Sequence, residues 1–429
     1  MAHNNSSFMF SQPDVLIIGG GSAGIAAAAG ASRQGATVTV LEKNSFAGGK
    51  ATAAYVGTLC GLYYRSENPE PRFVQQGFPK EFAQQLAIRS KSKPVQFKKG
   101  LYFLPYNYFQ MLLHCDEWLK KATQSVCFNA TVIQAIAENQ QVTVVDAWIG
   151  NQRVQFKPKS VIDTSGENLI SGLLNLPSIQ SDQYQAAAHV FGLSGLHEVD
   201  EAVLSMSLIR TIRKGIAAGL LEGFYERVSI IPGSLTNKSV FLKLPLPVHI
   251  DNNSKLSGEL ELLSRKAIND LYSFLKNHSE IFCDTFISFV APEVGIRTGP
   301  RHEGKYVLTG ADVLNATKHV DTIARGAWPV ESWMPGKSVE MEFFEQDDYY
   351  DIPAGVLQSK FISNLFFGGR NISADDKAIA SARVIGTCLA TGFAAGTLAA
   401  FNSFDRPNDD AIACAQQLAA LPYKAHENI

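Results

Sequence analysis

None of the six cysteines (Cys60, Cys115, Cys127, Cys283, Cys388 and Cys414) belongs to a CxxC pair, and none lies near a His at metal-ligand spacing. That pattern argues against a dithiol redox centre and against a zinc site. Reduced thiols in a cytoplasmic protein, with no metal, are the expectation. Charge is sparse as well: charged residues make up 18% of the 429, the formal net charge is −2, and no run of Lys or Arg exceeds a pair. The electrostatic footprint of a nucleic-acid binder is missing. Residues 1–13 hold no basic segment followed by an apolar one, so no signal peptide is expected. The longest apolar stretch, residues 15–31, contains five glycines and runs on into Ser32-Arg33-Gln34, which suits a strand, a turn and a helix better than a membrane span. No internal repeat or low-complexity tract stands out.

A hydrophobic share of 46% is ordinary for globular proteins, and the length allows two or three domains, or one nucleotide-binding domain with large insertions. Asp14-Val-Leu-Ile-Ile18 reads as a buried parallel strand, residues 22–34 as an Ala-rich helix ending at Gly35, and Thr37-Val-Thr-Val-Leu41 as a second strand. Residues 46–64 read as a glycine-rich loop with short elements, and residues 108–122 as an amphipathic helix. The runs 130–137, 142–149 and 154–156, split by Glu138-Asn-Gln-Gln141 and Gly150-Asn151, predict a three-stranded meander feeding a strand at 160–163. The middle of the chain mixes patterns; residues 260–277 look helical, and residues 240–250 look like an edge strand because of their prolines. Residues 364–367 predict a further buried strand, and residues 381–401 a long helix of small residues. The tail is expected to be helical and peripheral.

Gly19, Gly21 and Gly24 form G-x-G-x-x-G between the first strand and the first helix. The first allows the tight turn, the second a close backbone approach to a pyrophosphate, and the third close packing of helix on sheet. The helix N-terminus then offers free N–H groups and a positive dipole end to phosphates. Glu42 closes the second strand, placed to accept hydrogen bonds from a ribose. This fingerprint alone does not separate FAD from NAD.

Downstream lies Phe46-Ala-Gly-Gly-Lys50, and the stretch 14–50 resembles the FAD-binding end of glutathione-reductase-like flavoproteins. Further stretches are similar to FAD-dependent oxidoreductases of the FAD_oxidored type. These are Val161-Ile-Asp-Thr-Ser-Gly166, Arg297-Thr-Gly-Pro-Arg301 with residues 304–309 and 321–328, Tyr350-Asp-Ile-Pro353, Asn364-Leu-Phe-Phe-Gly-Gly-Arg370, Ser381-Ala-Arg-Val-Ile-Gly386 and Thr391-Gly-Phe-Ala-Ala-Gly396. The likeness recurs from the first strand to the last long helix but is patchy in the middle. Thr298 and Pro300 depart from it, since the family often carries an acid and an Arg there.

The resemblance implies an α/β fold: a Rossmann-like FAD-binding domain with a three-stranded β-meander, plus an inserted mixed α+β substrate domain. The expected FAD-binding domain is discontinuous, over 12–65, 108–175 and 350–405, with a cap over 66–107 and 176–349 and a tail over 406–429. FAD is expected to be bound non-covalently by Gly19, Gly21, Ser22, Ala23, Gly24, Glu42, Lys43, Gly49, Lys50, Val132, Thr164, Gly166, Gly369, Arg370, Arg383 and Val384. In such flavoproteins a helix N-terminus faces the flavin pyrimidine edge, which assigns the helix near Ser381 and Arg383 to that place.

With no second G-x-G-x-x-G and no CxxC, a pyridine-nucleotide–disulfide reductase is disfavoured, while direct access of NAD(P)H to the flavin stays open. His302 is the first candidate for proton transfer, because His titrates near neutral pH. Arg297 and Arg301 are candidates for binding a carboxylate or polarising a carbonyl. Each has an alternative: a surface or structural role for His302, and a structural ion pair for the two arginines. Cys60 reads as a small buried residue rather than a reactive thiol. Among Trp328, Trp333, Tyr349 and Tyr350, one or two are candidates for a pocket wall. The expected function is redox chemistry on an organic small molecule. The alternatives are a maturation factor oxidising a side chain of a partner protein and, disfavoured by the lack of basic surface, a tRNA-modifying flavoprotein. Oligomeric state is left open.

Overall fold

The computed structural model describes residues 9–182, 184–197, 199–251 and 258–419. Its centre is a five-stranded parallel sheet in the order Leu365–Phe367, Ser160–Asp163, Val15–Ile18, Val38–Leu41, Ser125–Cys127. Both faces of this sheet are covered, so all but the last of these strands are buried at every position. That explains why they read as unbroken apolar runs rather than alternating ones.

The helix Ser22–Ser32 follows the first strand and lies against Ile385–Ser403, a helix that is buried almost throughout. Small residues set this distance. A Cβ at Gly396 would sit 2.0 Å from Ala27 O, one at Gly392 2.1 Å from Ala23 O, and one at Gly30 2.2 Å from Phe393 O. Ile385–Ser403 is long and apolar enough to cross a membrane, but 89% of it is buried inside the protein, as befits a core helix.

The runs expected as a meander are the antiparallel strands Ala130–Glu138, Gln141–Ile149 and Gln152–Phe156. Met9–Ser11, within the stretch read as a polar terminus, adds a parallel strand on Gln152–Phe156. The helix expected over 381–401 is two helices, Asp376–Ala382 and Ile385–Ser403. Val384 breaks them apart with an extended backbone, φ −68° and ψ 152°. Asn408–Leu418 packs Ala411 and Ala415 inward, while residues 420–429 of the tail lie outside the described residues.

A second hydrophobic core runs from Tyr184 to Val294. Its sheet has the order Ser229–Ile230, Ser239–Pro245, Ala188–Ser194, Phe286–Val290. The helices Glu201–Ala217 and Glu259–His278 bring apolar faces to the same core, including Leu204, Leu208 and Ile212 from the first. Ser239–Pro245 is an inner strand, not the edge strand expected over 240–250. Pro245 and Pro247 fall at or beyond its end, so they remove no donor from its middle. From the segments expected as the cap, 66–107 and 176–349, Phe78, Phe82, Leu86, Leu308 and Val313 pack in the first core.

Candidate functional site

The loop from the first strand into Ser22–Ser32 opens a cleft. Gly19 takes φ +102°, and a Cβ there would meet Thr164 O at 2.7 Å, so the turn demands glycine. Gly21 stands at the N-cap with no side-chain cap and no acid in the first turn, leaving a positive helix end facing the cleft. The Gly48-Gly49 pair folds back onto this turn. Gly48 N donates to Gly20 O at 2.9 Å, and a Cβ at Gly49 would come within 2.9 Å of Gly21 Cα. Two backbone segments thus share space that side chains would fill.

Glu42, 5% exposed, accepts from Gly20 N at 2.6 Å and Asn44 N at 2.8 Å. Burial pushes its carboxyl above the usual range, against the pull of these two N–H groups. Each oxygen keeps acceptor capacity towards the cleft. Ser22, Ala23, Lys43, Lys50, Thr164 and Gly166 also line the cleft, and Gly369, Arg370 and Arg383 close its far side. Thr164 Oγ1 donates to Ile18 O and Gly19 O, tying the third strand end to the turn. Gly24 lies under the turn: its Cβ would be 1.9 Å from Gly19 O, so its role is packing. Val132 is buried in the meander strand Ala130–Glu138 and is not part of the cleft wall.

Three of the expected active-site groups separate. His302 is wholly buried, with Nδ1 2.6 Å from Ser171 Oγ, Nε2 3.0 Å from Asp163 Oδ2, and its ring stacked 3.9 Å from Phe367. The Ser–His–Asp order resembles a nucleophilic triad, but neither this cleft nor the cavity beside it touches any of the three residues. His302 is placed as a core residue that ties Arg301–His302 to the central sheet, apart from both cavities. Arg301 is placed similarly. It is 1% exposed and pairs with Asp376 at 2.6 Å, clear of both cavities. Arg297 alone reaches a cavity.

A second cavity shares Lys50, Arg370, Arg383 and Ile385 with the cleft, so the two adjoin. Its wall takes Thr58 and Cys60 from the strand Thr58–Cys60 and Val384 from the helix break on one side, and Ala188 and Val190 from Ala188–Ser194 and Lys243 from Ser239–Pro245 on the other. Lys50 pairs with Glu293 at 2.5 Å and Arg370 with Glu167 at 2.5 Å. Arg370 also donates to Gly166 O at 3.0 Å and to Ile296 O, which fixes it at the junction. Burial and then Arg370 draw the Lys50 ammonium below its usual value, against Glu293. Arg383 stands 3.6 Å from Glu331. Val384 is the N-cap of Ile385–Ser403, whose uncapped start faces the cavity through Ile385. Cys60 does line the cavity, but burial first, then Glu331, push its thiol up to about 12, so it stays protonated. Trp333 is the aromatic of the wall; Trp328 and Tyr350 are core residues.

The sequence reading missed Lys243, Glu331 and Glu293. The one signal available was Lys243 itself, a lone charge inside the apolar strand sequence Val-Phe-Leu-Lys-Leu-Pro.

The family model described as FAD dependent oxidoreductase matches residues 14–406. The chain belongs to this family. It is an α/β flavoprotein whose cofactor is FAD. No curated protein gives a significant match. Among solved structures, a geranylgeranyl bacteriochlorophyll reductase-like protein from Thermoplasma acidophilum is similar at 13% identity and TM-score 0.47, over 95% of this chain and 83% of its own. OxyS anhydrotetracycline hydroxylase from Streptomyces rimosus is similar at 11% identity and TM-score 0.49, over 96% of this chain and 67% of its own. A flavoprotein/dehydrogenase from Cytophaga hutchinsonii is similar at 13% identity and TM-score 0.45, over 95% and 83%.

The flavoprotein's cleft fits FAD on its own geometry. An uncapped helix end suits the pyrophosphate, Gly49 has no room for a Cβ beside Gly21, whose own Cβ side is left open, and a buried carboxylate suits the ribose.

Proposed function

We propose that this FAD-dependent oxidoreductase carries out redox chemistry on a small organic substrate bound in the second cavity. The observation that carries this reading is that this cavity adjoins the dinucleotide cleft, sharing Lys50, Arg370, Arg383 and Ile385 with it. In this reading residues 12–65, 108–175 and 350–405 hold the cofactor without a covalent bond, and the second core closes the substrate side. Bound FAD supplies the electron-transfer chemistry. The chain's residues do the rest. The start of Ser22–Ser32 and Gly21 hold the pyrophosphate, and Glu42 the ribose. Arg370, anchored by Glu167, orients the junction. The uncapped start of Ile385–Ser403 places a positive dipole end where negative charge develops on reduction. The walls from both cores keep water from the reacting edge.

The protein purified under non-denaturing conditions is expected to release stoichiometric FAD when denatured. Anaerobic mixing of holoenzyme with NADH or NADPH then sorts the reaction type. Bleaching of the flavin absorbance marks a monooxygenase-like reductive half-reaction; bleaching only by an organic donor marks an oxidase or dehydrogenase. A chain that carries no flavin and takes none up from added FAD contradicts the reading.

A further inference from the structure

The second cavity carries more positive charge than its fold explains. Lys50 and Arg370 have carboxylate partners in the adjoining cleft, and Arg383 has Glu331. Lys243 and Arg297 form no ion pair among the described residues. Both stand against one ring instead, with Arg297 Cζ 4.1 Å and Lys243 Nζ 4.8 Å from the Trp333 centroid. Arg297 also donates to Ala186 O, and Gln185, next in the chain, donates to Glu331 O at 3.0 Å, so the basic wall is braced by backbone contacts. Arg383 Nε is buried without a hydrogen-bond partner. Glu331, the one acid on the cavity wall, is engaged by Trp328 Nε1 at 3.1 Å as well as by Arg383.

Buried cations without an ion-pair partner of their own are costly, and Glu331, the acid on this wall, is already engaged by Arg383 and Trp328. The phosphates of FAD do not answer them, because neither Lys243 nor Arg297 lines the cleft at the glycine turn. We propose that the substrate is an organic anion, and that Lys243 and Arg297 bind its carboxylate while Trp333 packs against its body. This rests on the reading that the second cavity is the substrate site. Arg297 offers the planar donor fork that matches a carboxylate, and Lys243 a point charge.

Affinity for such an anion is expected to depend on pH. Burial first, then Arg297, draw the Lys243 ammonium down to about 8, with Glu331 and Cys60 opposing and Arg383 reinforcing. Burial first, then Arg383, draw Arg297 down against Glu331, but its guanidinium stays charged across this range. Lys243 is charged at neutral pH and loses its charge as pH rises through about 8, so anion binding weakens from pH 7 to 9. Cys60 stays neutral throughout this range.

The test uses FAD-loaded enzyme titrated calorimetrically with benzoate and with benzamide, its uncharged counterpart of the same shape. Benzoate is expected to bind at least about tenfold tighter than benzamide at pH 7, a preference that shrinks towards pH 9. Lys243→Met and Arg297→Met are each expected to lose about tenfold in benzoate affinity, with little change for benzamide, while keeping bound FAD. Unfolding temperature and FAD content of each variant separate lost binding from lost folding, and Arg297→Lys restores part of the affinity if charge is what matters. Equal affinity for the two probes, no binding of benzoate, or variants that bind benzoate as the parent does overturns the proposal. Such a result with FAD still bound leaves the oxidoreductase reading standing; absence of FAD sinks both.

Discussion

Gly396→Ala lowers the stability of this flavoprotein, although the same exchange in an exposed helix interior raises stability by about 1 kcal/mol. The sign reverses because the added carbon would lie 2.0 Å from Ala27 O. That neighbour is backbone, so relief requires the two central helices to separate, loosening their contact along its length. Overpacking of this kind costs about 1–3 kcal/mol, and a rigid backbone neighbour places it at the upper end. Against a total of about 5–15 kcal/mol for a native protein, this is a large share. Gly172, exposed in the helix Leu169–Leu173, has nothing within 4 Å of its would-be Cβ, so Gly172→Ala is the unstrained control, expected to keep or raise stability. Denaturant unfolding of both variants checks the prediction; an unchanged midpoint for Gly396→Ala contradicts it.

His302→Ala is expected to cost about 3 kcal/mol or more, because it empties a wholly buried site and takes a partner from a buried carboxylate. Asp163 stays behind, fully buried, with Ser165 N, Ser165 Oγ, Ile170 N and Asn371 Nδ2 as its remaining donors. In the parent, burial pushes the Asp163 carboxyl up, but His302 and then the hydrogen bonds of Ser165 and Ile170 win and hold it below its ordinary 3.8. A depressed carboxyl contributes stability that is fully present above its unfolded value and is lost as pH falls through the lowered folded one. The gap between parent and variant is therefore widest near neutral pH and narrows under acid. FAD affinity measured on folded variant is expected to change little, because His302 touches neither cavity. A variant of unchanged stability that has lost flavin reduction restores the proton-transfer role.

What the sequence disclosed follows how local each feature is. The glycine turn, its strand and helix, and Glu42 lie within one βαβ stretch, and the period of apolar residues exposes them. Gly48-Gly49 was legible as a motif, while its fold-back onto Gly21 needed the tertiary structure. The break at Val384 left no trace, since neither Pro nor Gly marks it and an extended N-cap needs only a backbone angle. His302 misled because a lone His advertises its titration range and hides its burial. The strand around Lys243 misled in the opposite way: prolines at its end suggested an edge, and the informative charge inside it passed unremarked. Lys243, Arg297, Glu331 and Trp333 meet only when the second core docks on the first.

The central claim is that the glycine turn holds the pyrophosphate of FAD, and Gly21→Val tests it most directly. Gly21 has φ −73°, which any residue adopts, and its would-be Cβ meets nothing closer than Gly49 Cα at 3.6 Å. The exchange therefore costs the fold little beyond a poorer N-cap, about 1 kcal/mol, while its side chain enters the space assigned to the phosphates. Titration of apo-protein with FAD, followed by flavin fluorescence, is expected to show affinity reduced on the order of a hundredfold, with the unfolding temperature of the apo-protein nearly unchanged. A folded Gly21→Val protein that binds FAD as tightly as the parent contradicts the account.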